Sequence, residues 1–277
     1  MASAKVVTGY AEVNGGRIYY EVAGAGSTVV LIHGFSLDTR MWDAQFEVFA
    51  QSHRVIRYDV RGFGKSSLPD KPYSNAADLD ALLTRLRVDT AAVCGLSMGG
   101  GIAVEFALLY PSRVWALVPV DAGGSALVRK DDAEGRAQWV VLAKLFADLA
   151  RTARSAGVES AKRMWLDHEL FAPERESPVL KRELERMVGD YSGWHWVNSA
   201  QYLPFKPDHS ERYGNISAPS LVVVGERDLP ACHSVANGMV SDIPDARLHV
   251  IPRAGHMSNM GAPVEFNRVV LDFLATV

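Results

Sequence analysis

Short apolar segments alternate with amphipathic segments along most of this chain of 277 residues. The short segments are rich in β-branched and aromatic residues and end in turn-forming residues, which is typical of strands. Between them, apolar residues recur at helical spacing, as in "NAADLDALLTRLRV", where four leucines would share one stripe. Strands joined through helices run parallel, so the alternation predicts an α/β protein with helices on both faces of a parallel sheet. The predicted strands are "RIYYEVAG", "STVVLIHGF", "RVIRYDV", "TAAVCGLS", "VWALVPVDAG", "SLVVVGERD" and "ARLHVIPRAGH".

The alternation stops between about residues 125 and 212. That stretch is helical in pattern, heavily charged and without a convincing buried strand. We therefore predict an α/β core in two parts, residues 1–124 and 213–277, with a helical lid inserted as residues 125–212.

Composition excludes several classes of protein. The 29 basic and 32 acidic residues give a net charge of −3, which argues against nucleic acid or an anionic membrane as the main partner. The first residues contain no apolar core of a signal peptide, and no run reaches the ~18 apolar residues of a membrane-spanning helix. Cys94 and Cys232 form neither a CxxC nor a zinc pattern. We expect a cytoplasmic protein with reduced thiols and with neither a metal nor a cofactor.

One serine stands among four glycines in the segment 93–101, "VCGLSMGGG". Gly95, Ser97 and Gly99 form a G-x-S-x-G motif between a predicted strand and a predicted helix, the context in which that motif exposes a nucleophile. The start of the following helix would direct backbone N–H groups towards developing negative charge. The alternative is a glycine-rich turn with an incidental serine, and the strand–turn–helix context makes it the weaker interpretation.

A serine nucleophile needs a base and a carboxylate that orients the base. Asp228 follows the predicted strand "SLVVVGERD", and His256 follows the predicted strand "RLHVI". Loops after parallel strands share one edge of the sheet, so Ser97, Asp228 and His256 can converge there. The other histidines have simpler explanations as surface, strand or lid residues.

These motifs resemble the α/β-hydrolase superfamily, and within it the esterases and enol-lactonases that carry HGF and GLSMGG. The resemblance covers essentially the whole chain, most firmly residues 26–124 and 217–277. It implies an eight-stranded, mostly parallel sheet with a lid inserted after the sixth strand. It also implies that Ser97 is the nucleophile, His256 the base and Asp228 the orienting acid. The backbone N–H groups of Phe35 and Met98 would form the oxyanion hole.

Asp121, Glu226 and His33 lie near these residues and are expected to have other roles. Some members of the superfamily take the acid from the end of the sixth strand, where this chain has Asp121, but Asp228 remains the preferred acid. Glu226 is expected to point elsewhere, and His33 is expected to be a structural residue of the loop. The segment "RGFGKSS" lacks the first glycine of a phosphate-binding loop.

The lid contains four of the six tryptophans, and ligand pockets are mostly lined by apolar and aromatic groups. We therefore expect Trp139, Trp165, Trp194 and Trp196 to be candidates for contact with substrate, although each could instead pack the lid onto the core. The predicted function is a cofactor-free serine hydrolase of small to medium esters or lactones. The alternatives are a ligand receptor on the same fold, and a C–C bond hydrolase or perhydrolase with the same triad.

Overall fold

The computed structural model describes residues 5–198 and 209–277, and these contain one sheet of eight strands. The eight strands are β1 (Val7–Val13), β2 (Gly16–Ala23), β3 (Thr28–Ile32), β4 (Arg54–Tyr58), β5 (Ala91–Leu96), β6 (Val114–Val120), β7 (Ser220–Gly225) and β8 (Ala246–Ile251). The strand order is β1-β2-β4-β3-β5-β6-β7-β8. Strand β2 pairs antiparallel with both β1 and β4, and the other neighbours are parallel. The predicted fold class, an α/β-hydrolase fold, is confirmed.

The central strands are buried along their whole length. Every residue of β3, β5 and β7 is buried. Successive side chains of a strand point to opposite faces, so complete burial means that both faces of the sheet are covered. The carboxyl ends of these strands therefore open onto loops that lie on a rigid core.

The first strand was not among the predicted strands. It is joined to β2 by the residues Asn14 and Gly15, which both have positive φ, 46° and 74°. Asn-Gly with two positive φ angles is the favoured two-residue hairpin turn, because its twist matches that of the flanking strands. Most residues of β1 are exposed or half-buried, so the strand lacks the continuous apolar character of its neighbours.

The described residues before β6 and after β7 contain six helices. They are α1 (Asp43–Phe49), α2 (Asn75–Arg85), α3 (Met98–Leu109), α9 (Pro230–Asp242), α10 (Ser258–Gly261) and α11 (Pro263–Leu274). Helix α2 begins at Ser74, whose side chain accepts a hydrogen bond from the N–H of Ala77, and it buries Leu79, Leu82 and Leu83. Helices α1 and α11 pack against each other, as do α2 and α3, while α9 packs on β7 and β8.

Among the described residues, five further helices lie between β6 and β7. They are α4 (Ala133–Ala156), α5 (Val158–Leu166), α6 (Ala172–Arg175), α7 (Pro178–Asp190) and α8 (Trp194–Val197). Helix α4 packs against α5 and α8, and it reaches the core through α9. A 3-10 segment, His209–Asn215, then packs on α3 and α9 before β7 begins. Within the described residues, no helix combines the length and apolar character needed to cross a bilayer.

Candidate active site

Ser97 occupies a strained turn between β5 and α3. Its backbone angles are φ 54° and ψ −111°, a region that L-residues with a side chain rarely occupy. Gly95 and Gly99 on either side of it are required because neighbouring backbone lies too close for a side chain. A Cβ on Gly95 would lie 2.1 Å from the carbonyl oxygen of Gly99, and a Cβ on Gly99 would lie 2.3 Å from that of Ile32. The N–H of Ser97 donates to the carbonyl of Val120 over 2.8 Å, which fixes the turn to β6.

His256 and Asp228 form a buried pair. Asp228 follows β7 and His256 follows β8, and His256 Nδ1 lies 3.0 Å from each carboxylate oxygen of Asp228. The N–H of Leu229 also donates to Asp228 Oδ1 over 2.7 Å, which holds the carboxylate in place. Burial lowers the pKa of His256, but the Asp228 carboxylate outweighs this effect and raises it to about 9. The second imidazole nitrogen, Nε2, remains available to exchange a proton with a molecule in the adjoining cavity.

Asp121 is held by other partners. Its Oδ1 accepts the N–H of Gly225 over 2.7 Å, and its Oδ2 accepts the hydroxyl and the N–H of Ser258 over 2.6 and 3.1 Å. Burial and the neighbouring Asp228 charge raise the pKa of Asp121 well above its usual range. Asp121 thus joins the end of β6 to the last residue of β7 and to the segment after β8, while Asp228 contacts the imidazole. Glu226 is exposed and accepts the N–H of Arg253.

His33 is tied to the backbone on both ring nitrogens. Nδ1 lies 2.7 Å from the carbonyl oxygen of Gly34, and Nε2 accepts the N–H of Val60 over 2.9 Å. The carbonyl contact makes Nδ1 the protonated nitrogen, and burial lowers the pKa of the ring. His33 therefore braces the loop after β3 and does not line the cavity.

The residues predicted for the oxyanion hole border the same cavity as Ser97. Phe35 lies in the loop after β3, and Met98 is the first residue of α3. Neither backbone N–H donates a hydrogen bond to any residue that the structure describes. Two unused donors beside a serine, one of them at a helix start, are suited to hold a negatively charged oxygen.

A cavity of about 470 Å³ connects these groups. Ser97 and His256 both line it, without a hydrogen bond between them, and the distance in such pairs commonly shortens only when substrate binds. Among the described residues, the lining contains no lysine, arginine, aspartate or glutamate. The cavity is therefore suited to a neutral, largely apolar molecule that fills it next to Ser97.

The four tryptophans between β6 and β7 divide into two pairs. Trp139 and Trp165 line the cavity, and the Trp139 ring would lie 3.0 Å from a Cβ on Gly123, close to Ser97. Trp194 and Trp196 are not among its lining residues, so their contact with substrate stays a prediction that this cavity does not support. Trp196 is buried and instead packs on Tyr191 and Phe35 at ring distances of 5.1 and 6.1 Å.

His195, between those two tryptophans, does line the cavity and was missed as a site residue. Its Nε2 lies 2.9 Å from the Tyr73 hydroxyl and its Nδ1 lies 3.0 Å from the Tyr191 hydroxyl. The ring stacks on Phe63 with centroids 4.2 Å apart. Burial lowers the pKa of His195 to about 3, so the ring is neutral. A histidine in a helical segment gives no sequence signal for these contacts, which come from distant parts of the chain.

The sheet order, the strained serine turn and the histidine–carboxylate pair define a class of enzyme. A model of the alpha/beta hydrolase fold family matches residues 27–263, and the chain therefore belongs to that family of hydrolases. Its members act on small molecules.

Named relatives extend over nearly the whole chain. A 2-hydroxy-6-oxo-6-phenylhexa-2,4-dienoate hydrolase of Burkholderia cepacia is 31% identical over 94% of this chain and 91% of its own. The structure of an enol-lactonase from Burkholderia xenovorans LB400 has a TM-score of 0.78 and 28% identity, covering 96% of this chain and 100% of that one. A thermophilic esterase from Thermogutta terrifontis has a TM-score of 0.76 and 27% identity, covering 99% of both chains.

Proposed function

We propose that this protein hydrolyses small to medium carboxylic esters or lactones through an acyl-enzyme on Ser97, with no cofactor. One observation carries the proposal. The serine at the strained turn and the histidine bound to Asp228 open into one cavity whose described lining contains no lysine, arginine, aspartate or glutamate. A neutral acyl compound bound there would present its carbonyl carbon to Ser97. Similarity to an enol-lactonase and to an esterase supports the same class of reaction.

The first half of the proposed reaction forms the acyl-enzyme. Ser97 Oγ attacks the carbonyl carbon while Nε2 of His256 takes the hydroxyl proton. The carbonyl oxygen becomes negatively charged and accepts hydrogen bonds from the N–H groups of Phe35 and Met98, each worth roughly 3–4 kcal/mol. The C–O bond to the alcohol then breaks, and His256 returns its proton to the leaving oxygen.

The second half releases the acid. Water attacks the acyl carbon, His256 takes a proton from that water, and the bond to Ser97 Oγ breaks as the proton returns to it. In both halves Asp228 accepts the Nδ1–H of His256, so Nε2 carries the lone pair and faces the cavity. A lactone follows the same steps, except that the leaving alcohol stays attached to the acyl group as a hydroxy acid.

A substrate panel tests the proposal. The purified protein is assayed against p-nitrophenyl esters of increasing acyl length and against simple lactones, with Ser97→Ala as the blank. Ser160→Ala is a matched control, because that serine is half-buried in α5 and does not line the cavity. Its hydroxyl donates to the carbonyl of Ala156 at the end of α4 and accepts a hydrogen bond from Arg163. We expect turnover that the control keeps and the blank loses. Equal rates in wild type and Ser97→Ala would refute the acyl-enzyme.

A second candidate is hydrolysis of a C–C bond. It is favoured by the similarity to 2-hydroxy-6-oxo-dienoate hydrolases at about 30% identity. The substrates named for those relatives are carboxylates, whereas the described lining of this cavity has no lysine or arginine to pair with one. Including 2-hydroxy-6-oxo-6-phenylhexa-2,4-dienoate in the panel separates the candidates. Faster turnover of that compound than of any ester or lactone would favour the C–C reaction.

A further inference from the structure

Cys232 lies beside the pair formed by Asp228 and His256. Its Sγ is 3.8 Å from His256 Nδ1, which is itself 3.0 Å from both carboxylate oxygens. One ligand atom from each of the three residues lies within 4.8 Å of the other two, and all three residues are buried. The mechanism proposed above uses the carboxylate and the imidazole but gives the thiol no role.

These separations approach those of a metal site. With Zn–N near 2.0–2.1 Å and Zn–S near 2.3 Å at tetrahedral angles, a nitrogen and a sulfur ligand are about 3.6 Å apart, and a nitrogen and an oxygen ligand about 3.3 Å apart. Nδ1 and Sγ are 3.8 Å apart, and Nδ1 and the carboxylate oxygens are 3.0 Å apart. Both distances to Nδ1 would change by roughly 0.2–0.3 Å, and Sγ and a carboxylate oxygen, which lie within 4.8 Å of each other, would come to about 3.6 Å apart.

Chemistry and access also favour such an ion. A thiolate, an imidazole and a carboxylate form a donor set that suits Zn²⁺ or the softer Cd²⁺ rather than Mg²⁺ or Ca²⁺. Cys232 and His256 both line the cavity, so an ion can reach them by the route a substrate takes. One thiolate and one carboxylate together balance the charge of a divalent cation, and water would supply the fourth ligand.

We propose that Asp228, Cys232 and His256 bind one thiophilic divalent cation, and that this binding reversibly inactivates the hydrolase. The Sγ proton and the Nδ1 proton pass to solvent as the ion takes their places. An imidazole that coordinates through Nδ1 carries its remaining proton on Nε2, so it cannot accept the Ser97 proton. The inactivation rests on the proposed function, whereas the binding does not.

A Cd²⁺ titration tests the binding without any substrate. The Ser97→Ala protein is titrated after treatment with chelator and a non-thiol reductant, and the thiolate-to-cadmium charge-transfer band is followed in the ultraviolet. The chain has two cysteines, and Cys94 is fully buried in β5. We expect one ion per chain, and no band once Cys232→Ala or Cys232→Val is added. Both replacements of Cys232 are made because either one can decide the result, provided that circular dichroism shows it to be folded.

His256→Ala in the same background tests the geometry. Loss of groups that only orient metal ligands costs 10–100-fold in affinity, so removing a direct ligand should weaken Cd²⁺ binding at least about tenfold while the band persists. A band that survives replacement of Cys232, or an affinity unchanged by His256→Ala, would overturn the site.

Inhibition of ester hydrolysis tests the consequence. We expect Zn²⁺ to inhibit wild type, Mg²⁺ at the same concentration to have no effect, and a chelator to restore the rate. Each variant is compared with its own metal-free rate, and replacement of Cys232 should raise the Zn²⁺ inhibition constant at least about tenfold. Equal Zn²⁺ sensitivity in wild type and the Cys232 variants would refute inactivation through this site. If the protein cleaves no ester or lactone, the proposed function fails and the Cd²⁺ titration still decides the metal site.

Discussion

The loops after β5, β7 and β8 and the helices α4–α8 hold their side chains in different ways. In the loops, backbone groups fix the residues of the proposed catalytic site: the N–H of Ser97 donates to the carbonyl of Val120, and Asp228 accepts the N–H of Leu229. In the helices, aromatic side chains are held by packing against other rings. The Trp165 ring, for example, lies 5.1 Å from that of Phe171 and 5.6 Å from that of Phe146, measured between centroids. Backbone hydrogen bonds specify a position closely, while apolar packing tolerates substitutions of similar volume. Changes in the loops should therefore alter the chemical step, and changes in the helices should alter which substrates fit.

The largest effect is expected at the serine turn. Ser97→Ala removes the nucleophile and one small oxygen, so it should lower kcat for ester hydrolysis by on the order of 10⁴-fold or more while the fold persists. Steady-state kinetics give the rate, and thermal unfolding followed by circular dichroism confirms the fold. Adding His256→Ala should lower the rate little further, because the two residues act as a unit. A large additional loss in the double variant would break the assignment of both residues to one step.

Replacing each of the two buried aspartates, Asp228 and Asp121, distinguishes a carboxylate that orients the base from one that stabilises the loops. Asp228→Asn should lower kcat by about 10⁴-fold, because the amide favours the wrong imidazole tautomer. Asp121→Asn should lower kcat far less but reduce the free energy of unfolding by about 1–3 kcal/mol, because its oxygens accept three hydrogen bonds that an amide cannot all accept. Kinetics and denaturant unfolding of both variants provide the comparison. The reverse ranking of kcat would make Asp121 the acid.

The pH dependence tests the charge beside His256. The base acts only when Nε2 is unprotonated, so a raised pKa means that activity is lost as pH falls through the raised value. For a non-ionising ester, kcat/KM should rise with pH through a midpoint above the ordinary 6.5 and towards about 9, with a tenfold loss per pH unit below the midpoint. Asp228→Asn should move the midpoint down. A midpoint at or below 6.5 in wild type would contradict the stabilisation of the imidazolium by Asp228.

The smallest effect is expected in the helices between β6 and β7. Trp139→Ala enlarges the cavity near Ser97, so the preferred acyl chain should lengthen, and each additional buried CH₂ contributes about 0.8 kcal/mol, or roughly fourfold in kcat/KM. Trp194→Ala is the matched control, because Trp194 does not line the cavity and should leave the preference unchanged. Profiles of kcat/KM against chain length for the three proteins give the result. A shift in Trp194→Ala but not in Trp139→Ala would reverse the assignment of the cavity wall.

Much of the core could be predicted from the sequence, because strands and tight turns leave local signatures. Complete burial of β3, β5 and β7 appears in the sequence as continuous apolar runs, and the serine turn appears as glycines at fixed offsets from Ser97. Strand β1 was not predicted because only alternate residues near its end are buried, so it has no continuous apolar run. The Asn-Gly turn after it was the available signal.

The order of serine, aspartate and histidine along the chain was also sufficient to nominate the three site residues, because loops after parallel strands meet at one edge. The tertiary structure decided what surrounds them. His195 faces the cavity while Trp194 and Trp196 do not, and the sulfur of Cys232 lies 3.8 Å from His256. Such contacts join residues far apart in the chain, and their side chains are placed by packing against many neighbours at once. The backbone conformation of a turn or strand depends on a few neighbouring residues and can be predicted from them, whereas side-chain packing depends on the whole fold.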